Sequence, residues 1–289
     1  MKPSRFDYLR PRTVDEALAM LADHGANDGK LLAGGQSLVP MMNFRVAAPA
    51  VLIDLNGIAD LAGISEDGDR IVIGAMTRHN DVKAHPLIAR HAPLVEAAYH
   101  HVAHFTVRNR GTLGGNLVHA DPASEMPMIM LVLGAEMHVA SAAASRVVPA
   151  EEFFLGTYVT AIEEDELLMA ISLPKRQAGQ RHAFEEVSLR KGDFAVSAVG
   201  AVADIEDGRC RNLRLGLAGV SDAALLAHDV GGMLEGEMLT DRAIAAAGEA
   251  VVAGIEFRGT VSVSAEYRSD VTRELVGRCL RRIHEGAAE

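Results

Sequence analysis

The apolar positions of residues 14–25 recur at helical spacing, with Val14, Leu18 and Leu21 on one face. Thr13 with Glu16 three residues on is a capping-box signature, and Gly25 supplies a stop, so this stretch predicts an amphipathic helix. The runs at 30–34 ("KLLAG"), 50–55 ("AVLIDL") and 70–76 ("RIVIGAM") are shorter, apolar and bounded by turn residues, which predicts buried strands. Between them "SLVPMMNFRV" predicts a brief helical turn limited by Pro40. Residues 77–103 read as helical pieces broken at Pro86 and Pro93. Asp121 and Pro122 are helix-start residues ahead of "ASEMPMIMLVLG". "EMHVAS" and "SRVVPA" read as a hairpin, and "DELLMAISLP" as a strand closing at Pro174.

The pattern changes after the polar tract "KRQAGQR". Three strand-like runs follow, "HAFEEVSLR", "AVSAVGAVADI" and "CRNLRLGLAGV", and then three helical stretches at 223–234, 241–253 and 265–283. Strands followed by helices predict a small three-stranded antiparallel sheet with helices on one face. The whole is an α+β protein with a boundary near residue 176, giving units 1–176 and 177–289.

Composition narrows the function. A formal net charge of -11 argues against a nucleic-acid surface, and the absence of tryptophan with only four tyrosines argues against base stacking. Two cysteines, Cys210 and Cys279, form neither a disulfide framework nor a metal motif, so if this protein handles iron–sulfur electrons, the cluster, which takes about four protein ligands, sits in another chain. The N-terminus has no apolar signal core, and no apolar run is long enough to span a bilayer, which predicts a soluble cytoplasmic protein.

Two glycine-bearing segments carry the candidate chemistry, "LLAGGQSLVP" and "RNRGTLGGNLVHADPASE". Glycine turns adopt positive φ and aim several backbone N–H groups at one anion. Ser37, Thr112 and Asn116 add side-chain hydrogen bonds. Neither segment is a P-loop or a Rossmann fingerprint, and either alone reads as an ordinary tight turn. Together, with Glu125 ten residues beyond the second, they suit a ligand with both a diphosphate and a ribose.

At these residues the chain resembles the flavin-binding medium subunit of the molybdenum hydroxylases, the family of carbon monoxide dehydrogenase, quinoline 2-oxidoreductase and xanthine dehydrogenase. The resemblance runs through "FDYLRPRTVDEALAML", "AGGQSLVPMMNFR", "VRNRGTLGGNLVHADPASEMP", "DELLMAISLP" and "FEEVSLRKGDFAV". It implies a two-lobed FAD-binding domain of the vanillyl-alcohol-oxidase/PCMH type, with lobes of about 1–56 and 57–176, and a C-terminal flavoprotein domain. It implies that Ala33, Gly34, Gly35, Gln36, Ser37, Leu38 and Val39 cradle the diphosphate and that Thr112, Gly114, Gly115 and Asn116 form a second loop. Glu125 falls at an acidic position beside the nucleotide, and Leu168 at one that packs on the flavin. Val102 matches a position near the nucleotide that is aromatic in some relatives. Lys191 and Asp193 fall where the C-terminal domain approaches the cofactor.

The resemblance further implies an FAD-carrying electron-transfer subunit with no catalytic residue of its own. Electrons arrive from iron–sulfur clusters in a small subunit, fed by a molybdenum site in a large one, and leave to an external acceptor, the assembly being a dimer of heterotrimers. Two readings stay open beside it, a free-standing FAD-dependent reductase using a nicotinamide donor and a non-enzymatic nucleotide-binding module. His79 is a candidate position near the flavin. His100 and His104 are spaced to share a helix face, but "HHVAH" lacks the third ligand and the acid of a zinc site, so no metal site is assigned to His100, His101 and His104. A serine-hydrolase reading lacks its GxSxG elbow.

Overall fold

The computed structural model describes residues 2–286. The chain opens with β1 (Asp7–Leu9), α1 (Val14–His24), β2 (Gly29–Leu32), α2 (Leu38–Asn43) and β3 (Val51–Asp54). These strands form a parallel sheet in the order β1-β3-β2, with Leu52 opposite both Tyr8 and Lys30. Thr13 caps α1 as its spacing predicts, its hydroxyl accepting from the Glu16 amide, and Ala17, Leu18 and Leu21 are buried against Ile53 and Leu55.

The next stretch holds β4 (Ile64–Asp67), β5 (Arg70–Gly74), α3 (His79–Ala84), α4 (Pro86–His91), α5 (Pro93–Ala98), α6 (Phe105–Arg108), α7 (Leu113–His119) and α8 (Glu125–Leu133). It continues through β6 (Glu136–Ala140), β7 (Ser145–Pro149), α9 (Ala150–Phe153), the short pair β8 (Phe154–Gly156) and β9 (Val159–Thr160), and β10 (Leu167–Pro174). Five of these strands make an antiparallel sheet, β4-β5-β10-β6-β7. Pro86 and Pro93 do not merely interrupt a helix. Each occupies the first turn of its own helix, where a missing N–H costs nothing. The helix anticipated from Asp121 starts at Glu125, because Asp121 instead accepts from the Ala123 amide in a turn.

The last part contains β11 (Arg181–Ser188), β12 (Ala195–Glu206), β13 (Arg209–Ala218), β14 (Leu225–Leu226), α10 (His228–Leu234), α11 (Asp241–Ala253) and α12 (Ala265–Glu285). The sheet has four strands, not three: β14 pairs with β13 at the position where a helix was expected to begin, and that helix starts at His228. Val199, Leu215, Leu217, Ile244, Val276 and Leu280 form its core, while Ser197 and Thr272 satisfy one another inside it.

α8 joins the two parts. Eight of its nine residues are buried. Gly200 on β12 and Gly216 on β13 let the C-terminal sheet close on it; a Cβ would come within 2.8 Å of Met128 Sδ at Gly200 and 2.6 Å of Val132 Cγ2 at Gly216. Arg214 on β13 donates to the Leu131 and Val132 carbonyls at 2.8 and 2.9 Å, satisfying the end of the helix from the other side of the boundary.

Candidate functional site

β2 runs into residues 33–37, and α2 follows at once. Gly35 takes φ +72, the left-handed region that glycine adopts freely. The amides of Gly34, Gly35, Gln36, Ser37 and Leu38 donate to no acceptor among the described residues, and the Ser37 hydroxyl is equally without a partner. Five donors in one partly open turn have to be met by water or a ligand.

The second glycine segment behaves differently. Residues 113–119 are the helix α7, not an open loop. Its first amides are already used: Leu113 donates to the Thr77 carbonyl at 3.0 Å, Gly114 to the Ala75 carbonyl at 2.9 Å, and Gly115 to Thr112 Oγ1 at 3.1 Å. The glycines serve close packing. A Cβ on Gly114 would meet Ala75 Cβ at 2.5 Å, and one on Gly115 would meet Thr112 Oγ1 at 2.7 Å and Ala33 Cβ at 3.3 Å. The row of consecutive free amides therefore lies in the first turn.

The two segments meet backbone to backbone. A Cβ on Gly34 would fall 2.3 Å from the Arg110 carbonyl oxygen and 2.6 Å from Gly111 Cα. Arg78 ties the junction, one nitrogen donating to the Arg110 carbonyl and another to Asn56 Oδ1 at 2.5 Å; Asn56 in turn donates to the Ala33 carbonyl at 2.9 Å. Burial first, and then the charge of Arg110, lower the proton affinity of Arg78, whose guanidinium stands at the junction beside the free amides. That concentration of positive potential suits an anion.

Around this junction the structure gathers most of the sequence-derived positions. His79 is buried, its Nδ1 3.0 Å from the Tyr99 hydroxyl and its ring against Gly111. Burial first, then Arg108 and Arg78, push His79 down to about 4, so it is a neutral imidazole. Val102 is buried beneath the same region, and its carbonyl accepts from Arg108 at 2.7 Å. Asn116 and Ser124 bond each other at 2.8 Å, which fixes the start of α8 and Glu125. Glu125 is buried, and burial pushes its carboxyl up to about 7. Leu168 is buried at the bulge in β10, where the Met169 carbonyl accepts from Ala75. Gln36 and Val39 are exposed on the outer side of the turn.

Lys191 and Asp193 stand apart, exposed on the turn between β11 and β12. That turn touches the first half through Gly192, whose added Cβ would lie 2.7 Å from the His104 ring. Residues 100–104 form a turn with Ala103 at φ +44, so His100 and His104 share no helix face. No metal-holding cluster of three or more His, Cys, Asp or Glu occurs among the described residues. Sequence reasoning missed Asn56, Arg78 and Arg110 as the frame of the junction, and Glu186 as a buried acid facing Glu125. Arg110 lies inside the second glycine segment, but Asn56, Arg78 and Glu186 carry no local signal and are brought in only by the tertiary fold.

Residues 4–176 match the family described as FAD binding domain in molybdopterin dehydrogenase, and residues 182–283 match the CO dehydrogenase flavoprotein C-terminal domain. The chain is 38% identical to the 6-hydroxypseudooxynicotine dehydrogenase complex subunit alpha of Paenarthrobacter nicotinovorans, covering 97% of this chain and 95% of that one. It is 37% identical to the carbon monoxide dehydrogenase medium chain of Hydrogenophaga pseudoflava, covering 97% of each. Its structure superposes on a chain of quinoline 2-oxidoreductase from Pseudomonas putida 86 with a TM-score of 0.95, at 35% identity and full coverage of both.

Proposed function

The chain belongs to the family of FAD-binding medium subunits of the molybdenum hydroxylases, and from that premise we propose that it holds one FAD on the 34–38 turn and relays electrons to an external acceptor. The observation that carries this reading is the row of five unpartnered amides, framed by Arg78 and Arg110, where two backbone segments touch.

The residues present fit a dinucleotide. The amides of Gly34, Gly35, Gln36, Ser37 and Leu38, with the Ser37 hydroxyl, face the diphosphate; Ala33 and Val39 bound the turn. Glu125 accepts a ribose hydroxyl, and Asn116 with Ser124 holds it in place. Thr112, Gly114 and Gly115 act from beneath, through packing that presses α7 against the first turn. Val102 and Leu168 give apolar surface for the ring, neutral His79 braces Gly111, and Lys191 and Asp193 approach from the C-terminal domain. No side chain here acts as acid or base on an organic substrate.

Bound FAD supplies a carrier that exchanges electrons singly or in pairs, between iron–sulfur clusters of a small partner subunit and the acceptor. The molybdenum site and the clusters belong to partner chains, in keeping with only two cysteines, both buried. We divide the chain into a cofactor-binding domain, 1–176, with lobes at 1–56 and 57–176, and a C-terminal domain, 177–289. The assembly is read as a cytoplasmic dimer of heterotrimers; no helix among the described residues is long and apolar enough to cross a membrane. Identity is nearly equal to subunits named for 6-hydroxypseudooxynicotine dehydrogenase and for carbon monoxide dehydrogenase, so these two identities do not single out a substrate.

The test is direct. Purified protein shows flavin absorbance and releases FAD on denaturation, and co-expression with its partner subunits brings down iron and molybdenum. Release of FMN, or failure to take up FAD, refutes the reading. Rapid flavin reduction by NADPH in the isolated chain would favour the free-standing reductase instead.

A further inference from the structure

Glu186 sits on β11, where the C-terminal sheet meets the cofactor-binding half. Its side chain is 1% exposed, and its Oε2 has no hydrogen-bond partner among the described residues. Its Oε1 is 3.8 Å from His101 Nδ1, beyond hydrogen-bond reach. The charged group acting on it from α8 is Glu125, itself only 4% exposed. Around this pair stand His101 from the turn after α5, influenced by His100 and Lys191, and then Tyr99 and Asp121 beside Glu125. Along β11, Glu185 is paired with Arg282 of α12, and His182 is influenced by Arg176 and by Glu96 of α5. Burial lowers His101, so none of these groups places a full positive charge within bonding distance of Glu186.

A lone carboxylate in such surroundings costs several kcal/mol, so Glu186 is held as the neutral acid. Two carboxyls across a dry seam also repel when both are charged, and the one that ionises first holds back the other. Burial puts Glu125 at about 7; burial and then the charge of Glu125 put Glu186 at about 8. Glu125 lies in the first turn of α8, whose amide end favours a carboxylate, whereas Glu186 Oε2 meets no donor among the described residues, so Glu125 ionises first.

We propose that Glu125 and Glu186 work as a carboxyl pair holding one proton in the cofactor-bound state, Glu125 ionised toward a ribose hydroxyl and Glu186 protonated behind it. The proposal rests on the reading of Glu125 given above. Glu186 is a positioning residue that acts through Glu125. The proton balance follows: on the acid side, binding releases one proton from Glu125; on the alkaline side, binding takes one proton up onto Glu186. FAD affinity is then bell-shaped in pH, with an acid limb belonging to Glu125 and an alkaline limb to Glu186.

The experiment measures the FAD dissociation constant of the full-length chain, stripped of cofactor, from pH 5.5 to 9 for the wild type, Glu186→Gln and Glu125→Gln. The wild type weakens on both sides, approaching about tenfold per pH unit beyond each limb. Glu186→Gln loses the alkaline limb and keeps the acid one. An alkaline limb unchanged in Glu186→Gln overturns the pair while leaving the role of Glu125 intact. Wild-type affinity with an unchanged acid limb in Glu125→Gln overturns the role of Glu125 itself. Titration calorimetry of the wild type in buffers of different ionisation enthalpy reads the proton release and uptake without any variant, and binding with no proton exchange at either end also defeats the proposal.

Discussion

Gly34→Ala is the sharpest test of the cofactor turn. The new Cβ would lie 2.3 Å from the Arg110 carbonyl oxygen, 2.6 Å from Gly111 Cα and 2.9 Å from the Arg110 carbonyl carbon. Comfortable contact begins near 3.5 Å, so the two segments have to part by roughly 1 Å. All three atoms are backbone, so no side chain can rotate away. Overpacking of this kind costs about 1–3 kcal/mol, which for a chain of this size lowers Tm by roughly 2–10 °C. Parting the segments also pulls on the bonds from Arg78 to Arg110 and from Asn56 to Ala33 that frame the free amides. Misaligning two of the five donors, at about 1 kcal/mol each, weakens FAD binding by roughly tenfold to thirtyfold. Differential scanning fluorimetry of the apoprotein and flavin-fluorescence titration read the two effects separately. Gly35→Ala is the comparator: its φ of +72 strains the turn, but its Cβ meets only the Val39 and Leu32 side chains, at 3.1 and 3.4 Å. Wild-type Tm and FAD affinity in Gly34→Ala would falsify the account of the junction.

Other consequences are measurable. Thr112→Val removes the oxygen that accepts from the Gly115 amide, so urea denaturation should show a loss of about 1 kcal/mol, with FAD binding reduced through α7. His79 has a folded value of about 4 against an ordinary 6.5, so the native state binds fewer protons and stability falls as pH drops through that interval. Between pH 6.5 and 5 the expected loss is roughly 2 kcal/mol, and His79→Gln should flatten that limb of the urea midpoint. The exposed pair Arg258–Asp222 should be nearly silent, with Asp222→Asn changing stability by under about 0.5 kcal/mol.

The elements that sequence patterning located are those with a local cause. The cap of α1, the prolines that start α4 and α5, and the apolar α8 each have a signal within a few residues. β1 and β4 were missed because they are short edge strands whose residues are largely exposed, leaving no hydrophobic alternation to read. The glycines of α7 read as an open loop because glycine weakens a helix; α7 forms nonetheless, with Gly114 too close to the Ala75 backbone for any side chain and Gly115 packed against Ala33. The first turn was legible from "AGGQS", yet its frame was not. Arg110 stands inside the second glycine segment, but its partner Arg78 is 32 positions away and carries no motif, and the Glu125–Glu186 pair crosses from α8 to β11.

α8 has a bearing on how this protein can be taken apart. Its methionines share one core with Ile71, Ile73 and Ile171 of the five-stranded sheet, Gly200 of β12 and Gly216 of β13 lie against Met128, and Arg214 donates to the Leu131 and Val132 carbonyls. A fragment ending at 176 would present Met128 and Val132 to water and strip the Val132 carbonyl of its Arg214 donor, while Gly134 still caps the helix, so it should be expressed as an aggregating species. Calorimetry of the full chain should show one melting transition where sequence composition marks two units, because the seam is a shared core rather than a hinge.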